Sequence, residues 1–392
     1  MHTTVAECLI CTHSTEEVWD LPKLPLTGIY VGDEMDVWGD TTPDYFHDQA
    51  LLHCKSCGHG QLKNQVDAEF LYHETYSHRT SESTISTRGN QFFFQFIVEE
   101  LQSRPVTQAL EIGCNDLFLL ESLGSIARFR AGIDPIWPRE VSTLGNGIRL
   151  SGDFAESVDY SGLVDEPIDL VVTAHTFEHI MNPRLALDQI APYLSKKCSF
   201  FIEVPSAERM TDQARLDQVF SQHVQYYSVS SLVELMRPYG FSLRSLKYNF
   251  SYWGGTQLLH FSNEGCFKEV SHSTDIDYRQ AIQSFESGMN TTRHQLTSAT
   301  SPLYAFGAAQ MLPILSYHIG EPFELVTSIL DDNPSRQGKR FPYCLTPIVS
   351  PSQVINIQDA TILITALDSA RILMGSAFQL GFRSILLPIG AL

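Results

Sequence analysis

From about residue 106 the chain alternates short apolar runs with amphipathic stretches. QALEIG, residues 108–113, reads as a buried strand that ends at a glycine. RFRAGID, NGIRLSGDF, IDLVVTAH and SFFIEVP read as four more strands. Between them, LFLLESLGSIA and PRLALDQIAPYL carry apolar residues at helical spacing, and FFFQFIVEEL predicts a helix ahead of the first strand. Strands alternating with helices predict an α/β fold whose parallel sheet is covered on both faces. After the fifth strand the pattern changes. RMTDQARLDQVFSQHVQYYS predicts a long helical stretch before the helix VSSLVELMRPYG. FSLRSLKYN and TQLLHFS then follow with no helix between them, joined by a loop containing WGGT, so the sheet is expected to end in an antiparallel pair. From about Thr292 a second, smaller α/β unit repeats the theme. SPLYAFGAA, FELVTSILDDNP, ATILITAL and SILLPIG are its strands, and SARILMGSAFQLG is a helix between the last two.

Length and charge narrow the picture. A chain of 392 residues exceeds one ordinary core, so two or three domains are expected. A formal charge of −19 disfavours nucleic acid or an anionic membrane as the main partner, because counterion release would have the wrong sign. An anionic small molecule stays compatible if arginines are placed locally. No apolar run approaches the ~18 residues of a membrane helix. The start, MHTTVAECLICTH, lacks the basic and apolar regions of a secretory signal, so the expected location is cytoplasmic.

Four of the eight cysteines fall in two tight pairs, Cys8 with Cys11 (CLIC) and Cys54 with Cys57 (CKSCGHGQL). CxxC spacing lets two thiolates meet one ion at about 2.3 Å, and two such knuckles suit tetrahedral zinc. A redox pair would open a helix within a βαβ unit, and neither pair does. His13, His53 and His59 are expected at the surface, since four sulfurs close the site. The intervening DLPKLPLTGIYV, rich in proline, reads as irregular loop.

The turn EIGCNDLFLL poses a ligand question. Only Gly113 is present, so the glycine-rich cradle for a pyrophosphate is missing, and no Gly-Lys-Ser/Thr follows. The turn carries Glu111 and Asp116, which repel phosphate and suit a cationic ligand. S-adenosylmethionine (SAM) has a sulfonium, an ammonium and a ribose diol, and no phosphate. Asp134, ending strand two, is placed for the ribose hydroxyls. Asp153 and Phe154, after strand three, are placed for the adenine. His175 and Thr176, ending strand four, are placed for the methionine part. All lie at carboxyl ends of strands, where open α/β sheets bind ligands.

Together these segments resemble the class I SAM-dependent methyltransferases, and more narrowly the sugar-nucleotide C-methyltransferases of deoxysugar biosynthesis. The resemblance rests on CLIC with CKSCGHGQL, EIGCND, DLVVTAHTFEHIMNP, the WGGT loop, and LYAFGAAQ with DDNPSRQGKRFPYCLTPIVSP, in this order along nearly the whole chain. It implies a zinc-binding domain over 1–68, a methyltransferase domain with a Rossmann-like sheet over 69–291, and a C-terminal Rossmann-like domain over 292–392. It implies a small-molecule substrate, a keto sugar nucleotide, and a monomer or weak dimer. The cofactor site would comprise Tyr72, Tyr76, Ser83, Glu111, Gly113, Asn115, Asp116, Asp134, Asp153, Phe154, His175 and Glu178. Zinc would sit on Cys8, Cys11, Cys54 and Cys57.

C-methylation needs a carbanion. A carbon next to a ketone yields one if a base removes its proton while donors meet the oxyanion. Histidine suits the base role near neutral pH, and His223 in VFSQHVQYYS is the candidate. Where the family usually reads Tyr-His-Glu-His, this chain reads Phe220-Ser221-Gln222-His223, followed by Tyr226, Tyr227 and Ser228. Gln222 orients where Glu would raise basicity, and Tyr226 or Tyr227 would have to replace the lost tyrosine hydroxyl. Leu117 stands where the family commonly has glycine, and narrows the approach to the methionine part unless it tilts away. In the C-terminal unit GAAQ lacks the family's lysine, and Arg336, Lys339, Arg340 and Arg371 remain as positive charges. Three outcomes stay open: the family chemistry with His223 as sole base, a drifted non-sugar keto substrate, or a SAM-binding protein that no longer methylates. An NAD-dependent oxidoreductase is disfavoured, because LYAFGAAQML lacks the dinucleotide fingerprint.

Overall fold

The computed structural model describes residues 2–32, 45–71, 79–252, 254–265, 275–342, 344–354 and 357–388. The chain forms two compact units: Met1–Glu17, Leu51–Arg209 and His223–Ile276 make the first, and Val18–Ala50, Met210–Gln222 and Asp277–Leu392 the second.

After a short strand at His2–Thr4, which pairs with Asn64–Val66, come strands β1 (Glu16–Pro25), β2 (Phe46–Cys54) and β3 (His59–Leu62). The proline-rich stretch expected to be loop is therefore mostly strand. β1 is an edge strand, where the missing N–H groups of Pro22 and Pro25 cost the sheet little. In the first unit, β2 and β3 form a hairpin from Leu51↔Leu62 to Cys54↔His59, and its turn holds Cys54 and Cys57.

Helix α1 (Thr84–Leu101) follows, capped by Ser83 and burying Phe93, Phe96, Ile97 and Leu101. Next come β4 (Val106–Ile112), α2 (Phe118–Ser122), β5 (Ala127–Ile133), β6 (Arg149–Ser151), β7 (Ile168–Ala174), α3 (Pro183–Ile190) and β8 (Leu194–Pro205). The two-residue β9 (Gln225–Tyr226), α4 (Val229–Met236), β10 (Ser242–Asn249) and β11 (Thr256–Ser262) complete this unit. The main sheet runs β10-β11-β8-β7-β4-β5-β6, with the short strand Ser142–Thr143 at its far edge. β8, β7, β4, β5 and β6 are parallel, and β11 lies antiparallel between β8 and β10.

Period-two alternation sends side chains to two cores. Phe200, Ile202 and Val204 of β8 enter one cluster and Phe201 the other; Val171 of β7 joins the first, Leu170 and Val172 the second. Each fully buried Leu or Phe stabilises the fold by roughly 1.5–3 kcal/mol. The first cluster also contains Cys8, Cys54 and Cys57 with Tyr227, Val229 and Leu232, so the cysteine knuckles share a core with one face of the sheet.

The long helix expected over residues 209–228 does not form. A six-residue helix, Ala207–Asp212, stops short of Ala214, which turns left-handed at φ 50°. Every residue from Arg215 to Val229 is buried. A segment with no solvent face has no amphipathic period to hold it as a surface helix. Several of its polar side chains meet specific partners instead: Arg215 forms a forked ion pair with Asp217.

The second unit continues with α5 (Tyr278–Ser298), β12 (Leu303–Phe306), α6 (Leu312–Ile319), β13 (Val326–Leu330), β14 (Ile348–Val349), β15 (Thr361–Ile364), α7 (Ala370–Leu380) and β16 (Ser384–Leu386). Its sheet is parallel throughout, in the order β14-β13-β12-β15-β16. This is a doubly wound arrangement with its switch point between β12 and β15.

Candidate active site

The turn after β4 packs three left-handed residues into five positions: Gly113 (φ 79°), Asn115 (φ 41°) and Leu117 (φ 71°). Gly113 and Cys114 donate to the Ile133 carbonyl at 2.8 and 3.1 Å, which fixes the turn against the end of β5. Asp134 accepts from the Asn115 amide at 2.8 Å and from the Ile136 amide at 3.1 Å, one bond per oxygen, so each oxygen keeps acceptor capacity for a diol. Glu111 is buried behind the turn, with one oxygen lacking a hydrogen-bond partner. Burial, with Asp134 and Asp116 nearby, holds its carboxyl well above the usual range. Burial also raises Asp134. Acids crowded in this way favour a cation between them.

Asn115 and Asp116 also hold the chain ahead of α1. The Thr80 amide donates to Asn115 Oδ1 at 3.2 Å and the Ser81 amide to Asp116 Oδ2 at 2.8 Å. Ser83 acts here as a helix cap, accepting from the Ser86 amide. Tyr72 and Tyr76 lie outside the described residues. Asp153 accepts from Ser151 Oγ at 3.1 Å beyond β6, and Phe154 beside it is half-buried. Leu117 points into the apolar core with Phe93 and Leu120 instead of narrowing the site.

At the end of β7, His175 (φ 51°) contacts two buried carboxylates, Glu178 Oε1 at 3.2 Å and Glu203 Oε1 at 3.9 Å, and the edge of Tyr252. Burial opposes charge on His175, but Tyr252, Glu178 and Glu203 outweigh it and raise its pKa well above the ordinary value. His223 is the reverse case. It is buried, its ring meets that of His179 edge-on at 4.8 Å, and burial followed by His179 and His175 pulls its pKa well below 6.5. His223, His179 and Glu178 each bring one polar atom to within 4.8 Å of the others. The site thus sets His175, which neighbouring acids draw toward its charged form, near His223, which burial draws toward its neutral form.

The other candidates are occupied elsewhere. Gln222, in the second unit, accepts from Thr27 Oγ1 and donates to the Thr27 carbonyl, both at 2.9 Å. Tyr227 donates its hydroxyl to the Phe177 carbonyl at 3.3 Å, and burial pushes its pKa well up. Tyr226 lies on β9 and is buried. Glu203, Trp137 and Gln225 were not singled out in the sequence. Glu203 was visible there as the lone acid in SFFIEVP. Trp137 donates from its indole to the Asn115 carbonyl at 2.8 Å and braces the ligand turn.

The four knuckle cysteines converge. Cys8 and Cys57 Sγ lie 3.7 Å apart, Cys11 and Cys54 Sγ 3.4 Å apart, and all four within 4.8 Å of one another. These separations exceed a disulfide's ~2.05 Å and match sulfurs sharing a tetrahedral ion. The Cys57 thiol holds Cys8 down at about 4, while burial pushes Cys11 up to about 12. The four sulfurs can all ionise together only around a cation, so the donor set fits zinc. His53 and His59, expected at the surface, are buried beside them.

In the second unit Gly307 (φ 105°) ends β12, and a side chain there would meet Ala366. The Ala308 amide donates to Asp331 Oδ2 at 2.8 Å; Arg336 reaches the same oxygen at 3.3 Å and lies over the ring of Tyr30.

Residues 80–246 match the methyltransferase domain family. Residues 266–378 match the C-methyltransferase C-terminal domain, and the two matches together support a SAM-dependent C-methyltransferase. The C-methyltransferase NovU of Streptomyces niveus is 22% identical over 371 residues, covering 89% of this chain and 86% of its own. Among solved structures, the N-methyltransferase NodS from Bradyrhizobium japonicum WM9, bound to S-adenosylhomocysteine, is 16% identical and covers 47% of this chain and 89% of its own, at a TM-score of 0.34. The magnesium protoporphyrin IX methyltransferase ChlM from Synechocystis PCC 6803, bound to S-adenosylhomocysteine, is 12% identical and covers 46% of this chain and 84% of its own at a TM-score of 0.35. Among the described residues no helix is long and apolar enough to cross a membrane.

Proposed function

We propose that the protein methylates a carbon next to a ketone on a nucleotide-linked sugar, with His223 as the base. The observation that carries this reading is the buried His223 beside Glu178 and His179, at the same end of the sheet as the acid-lined turn, where burial lowers its pKa. His223 takes the α-proton, and the electron pair of the broken C–H bond moves into an enolate. The enolate carbon then bonds to the electrophilic methyl that SAM supplies, and the S–CH3 bond breaks toward sulfur. Glu111, Asp116 and Asp134 bind the cationic donor and its diol, with Gly113, Asn115, Asp153, Phe154, His175 and Glu178 completing its site. Zinc on the four cysteines is structural. We further read 1–68, 69–291 and 292–392 as zinc, methyl-transfer and nucleotide-holding segments of a cytoplasmic protein that is monomeric or weakly dimeric. Its partner is a small molecule and not nucleic acid.

The test pairs binding with turnover. S-adenosylhomocysteine is titrated calorimetrically into wild type, Asp134→Ala and His223→Ala, and methyl transfer to keto sugar nucleotides is followed. Binding lost in Asp134→Ala, and transfer lost in His223→Ala with binding kept, are the expected results. Because burial pulls the His223 pKa well below its ordinary value, the acid limb of the rate profile is expected below pH 6.5. Transfer that persists in His223→Ala would overturn the base assignment. Binding without transfer or α-proton exchange across the substrate panel would leave a SAM-binding protein.

A further inference from the structure

The segment carrying His223 is hydrogen-bonded to the strand that leaves the cysteine knuckle. Strand β3, which leaves the knuckle, pairs antiparallel with β9 at Gly60↔Tyr226 and Gln61↔Gln225. The Leu62 amide extends the ladder to the Val224 carbonyl at 3.0 Å, and the Val224 amide donates to the Glu178 carbonyl at 2.8 Å. His59 Nε2 meets Gln225 Oε1 at 2.8 Å. The amide nitrogen of Gln225 donates in turn to the carbonyls of Ile180 and Met181, at 3.0 and 3.2 Å. Ser228 and Ser230 donate their hydroxyls to the Cys57 carbonyl at 3.4 and 2.8 Å. The first knuckle is tied in as well, since Gln61 accepts from the Leu9 amide and donates to the Glu7 carbonyl, both at 2.9 Å.

We propose that the zinc knuckle is the template that positions His223, with Gln225 as the positioning residue that joins it to the Glu178–His179 loop. This rests on the reading of His223 as base and of the cysteines as a zinc site. β9 has only two residues and no independent core, so its geometry depends on the strand beside it. β3 is anchored at one end by the knuckle, and the four sulfurs hold that knuckle only when a cation offsets their mutual repulsion. Gln225 has both ends committed, one to His59 and one to the loop after β7. Loss of the knuckle therefore releases Val224–Ser228 on one side of His223 while leaving the turn at Gly113 and its bond to Asp134 intact.

The test reads local order without any substrate. Zinc is withdrawn from the full chain with dipicolinate, and amide hydrogen exchange is followed by mass spectrometry in peptides covering 223–228 and 106–112. Exchange in 223–228 is expected to quicken by about tenfold or more, with 106–112 unchanged and protection restored by added zinc. Affinity for S-adenosylhomocysteine should stay within about twofold. A second variant, Gln225→Leu, keeps the size and loses all three side-chain bonds. It should retain zinc yet loosen 223–228, and lower kcat with little change in the KM for SAM. Unchanged protection of 223–228 in metal-free protein or in Gln225→Leu would overturn the proposal. So would equal loosening of 106–112, which would make zinc a general stabiliser. Because exchange is read without turnover, this result stands apart from the His223→Ala experiment, which tests the base itself.

Discussion

Gly113→Ala is the sharpest probe of the ligand turn. A Cβ at this position would run into Thr176 Oγ1 and lie 2.6 Å from its Cγ2 and 2.7 Å from its Cβ. Neither side can yield cheaply, because Thr176 Oγ1 donates to the Ala174 carbonyl at 3.1 Å. Left-handed backbone at φ 79° costs an alanine about 1–2 kcal/mol. Losing the threonine bond adds about 0.5–1.5 kcal/mol. The expected destabilisation is therefore roughly 1.5–3.5 kcal/mol, plus whatever the contact at Cβ adds. If the turn moves to relieve the contact, the Asn115–Asp134 bond breaks and affinity for S-adenosylhomocysteine falls by about tenfold or more. The assay is urea unfolding and product calorimetry on Gly113→Ala, Thr176→Gly, the double variant and wild type. In the Thr176→Gly background only the backbone term of about 1–2 kcal/mol should remain. An equal cost in both backgrounds would refute the account, since the contact with Thr176 would then contribute nothing.

Two further predictions concern buried side chains. Leu117→Gly relieves left-handed strain of about 1 kcal/mol but removes a core side chain worth about 2–5 kcal/mol, so it should destabilise the protein with product affinity unchanged; tighter binding would mean that Leu117 blocks the site after all. His318 is stacked on Trp19 and edge-on to Phe285, and burial, then Arg293, pulls its pKa down to about 3. A folded pKa below the unfolded value near 6.5 gives stability that is present above pH 6.5 and lost as pH falls toward 3. Between pH 7 and 5, wild type should lose about 2 kcal/mol more than His318→Phe in urea melts, and parallel losses would show that His318 is not buried in its neutral form.

The sheet was readable because its strands announce themselves. Residues 168–174 and 194–205 alternate between two cores, and the run of apolar residues broken by Asp134 and His175 places those side chains at strand ends. The cysteine pairs were equally legible, since spacing alone brings two sulfurs to one ion. The segment from Arg215 to Val229 was not. Period reading assumes a wet face and a dry face, and here both are dry. What holds the segment is a set of long-range bonds, such as His59 to Gln225 and Ser230 to Cys57, whose partners lie more than a hundred residues apart. His59 looked like a surface residue for the same reason: nothing local to CKSCGHGQL reveals the glutamine that buries it.

The departure at Gln222 has a structural explanation that bears on catalysis. Gln222 and Thr27 form a closed pair, with hydroxyl to amide oxygen and amide nitrogen to carbonyl, both at 2.9 Å. A carboxylate there would lose the second bond and face the Thr27 carbonyl with like charge in a buried setting. Restoring the family's acid by Gln222→Glu should therefore cost about 1–3 kcal/mol at pH 8 without raising the rate of methyl transfer. When protonated, the acid can still donate to the carbonyl, so its folded pKa should lie above the unfolded value near 4.3. The destabilisation should accordingly grow as pH rises above about 4.3 and shrink below it. Urea melts of both proteins at pH 4 and pH 8, beside methyl-transfer rates at pH 8, separate the two roles. An acid variant as stable as wild type at pH 8 and faster in transfer would mean that residue 222 reaches the base. The pairing with Thr27 would then not be what fixed glutamine at this position.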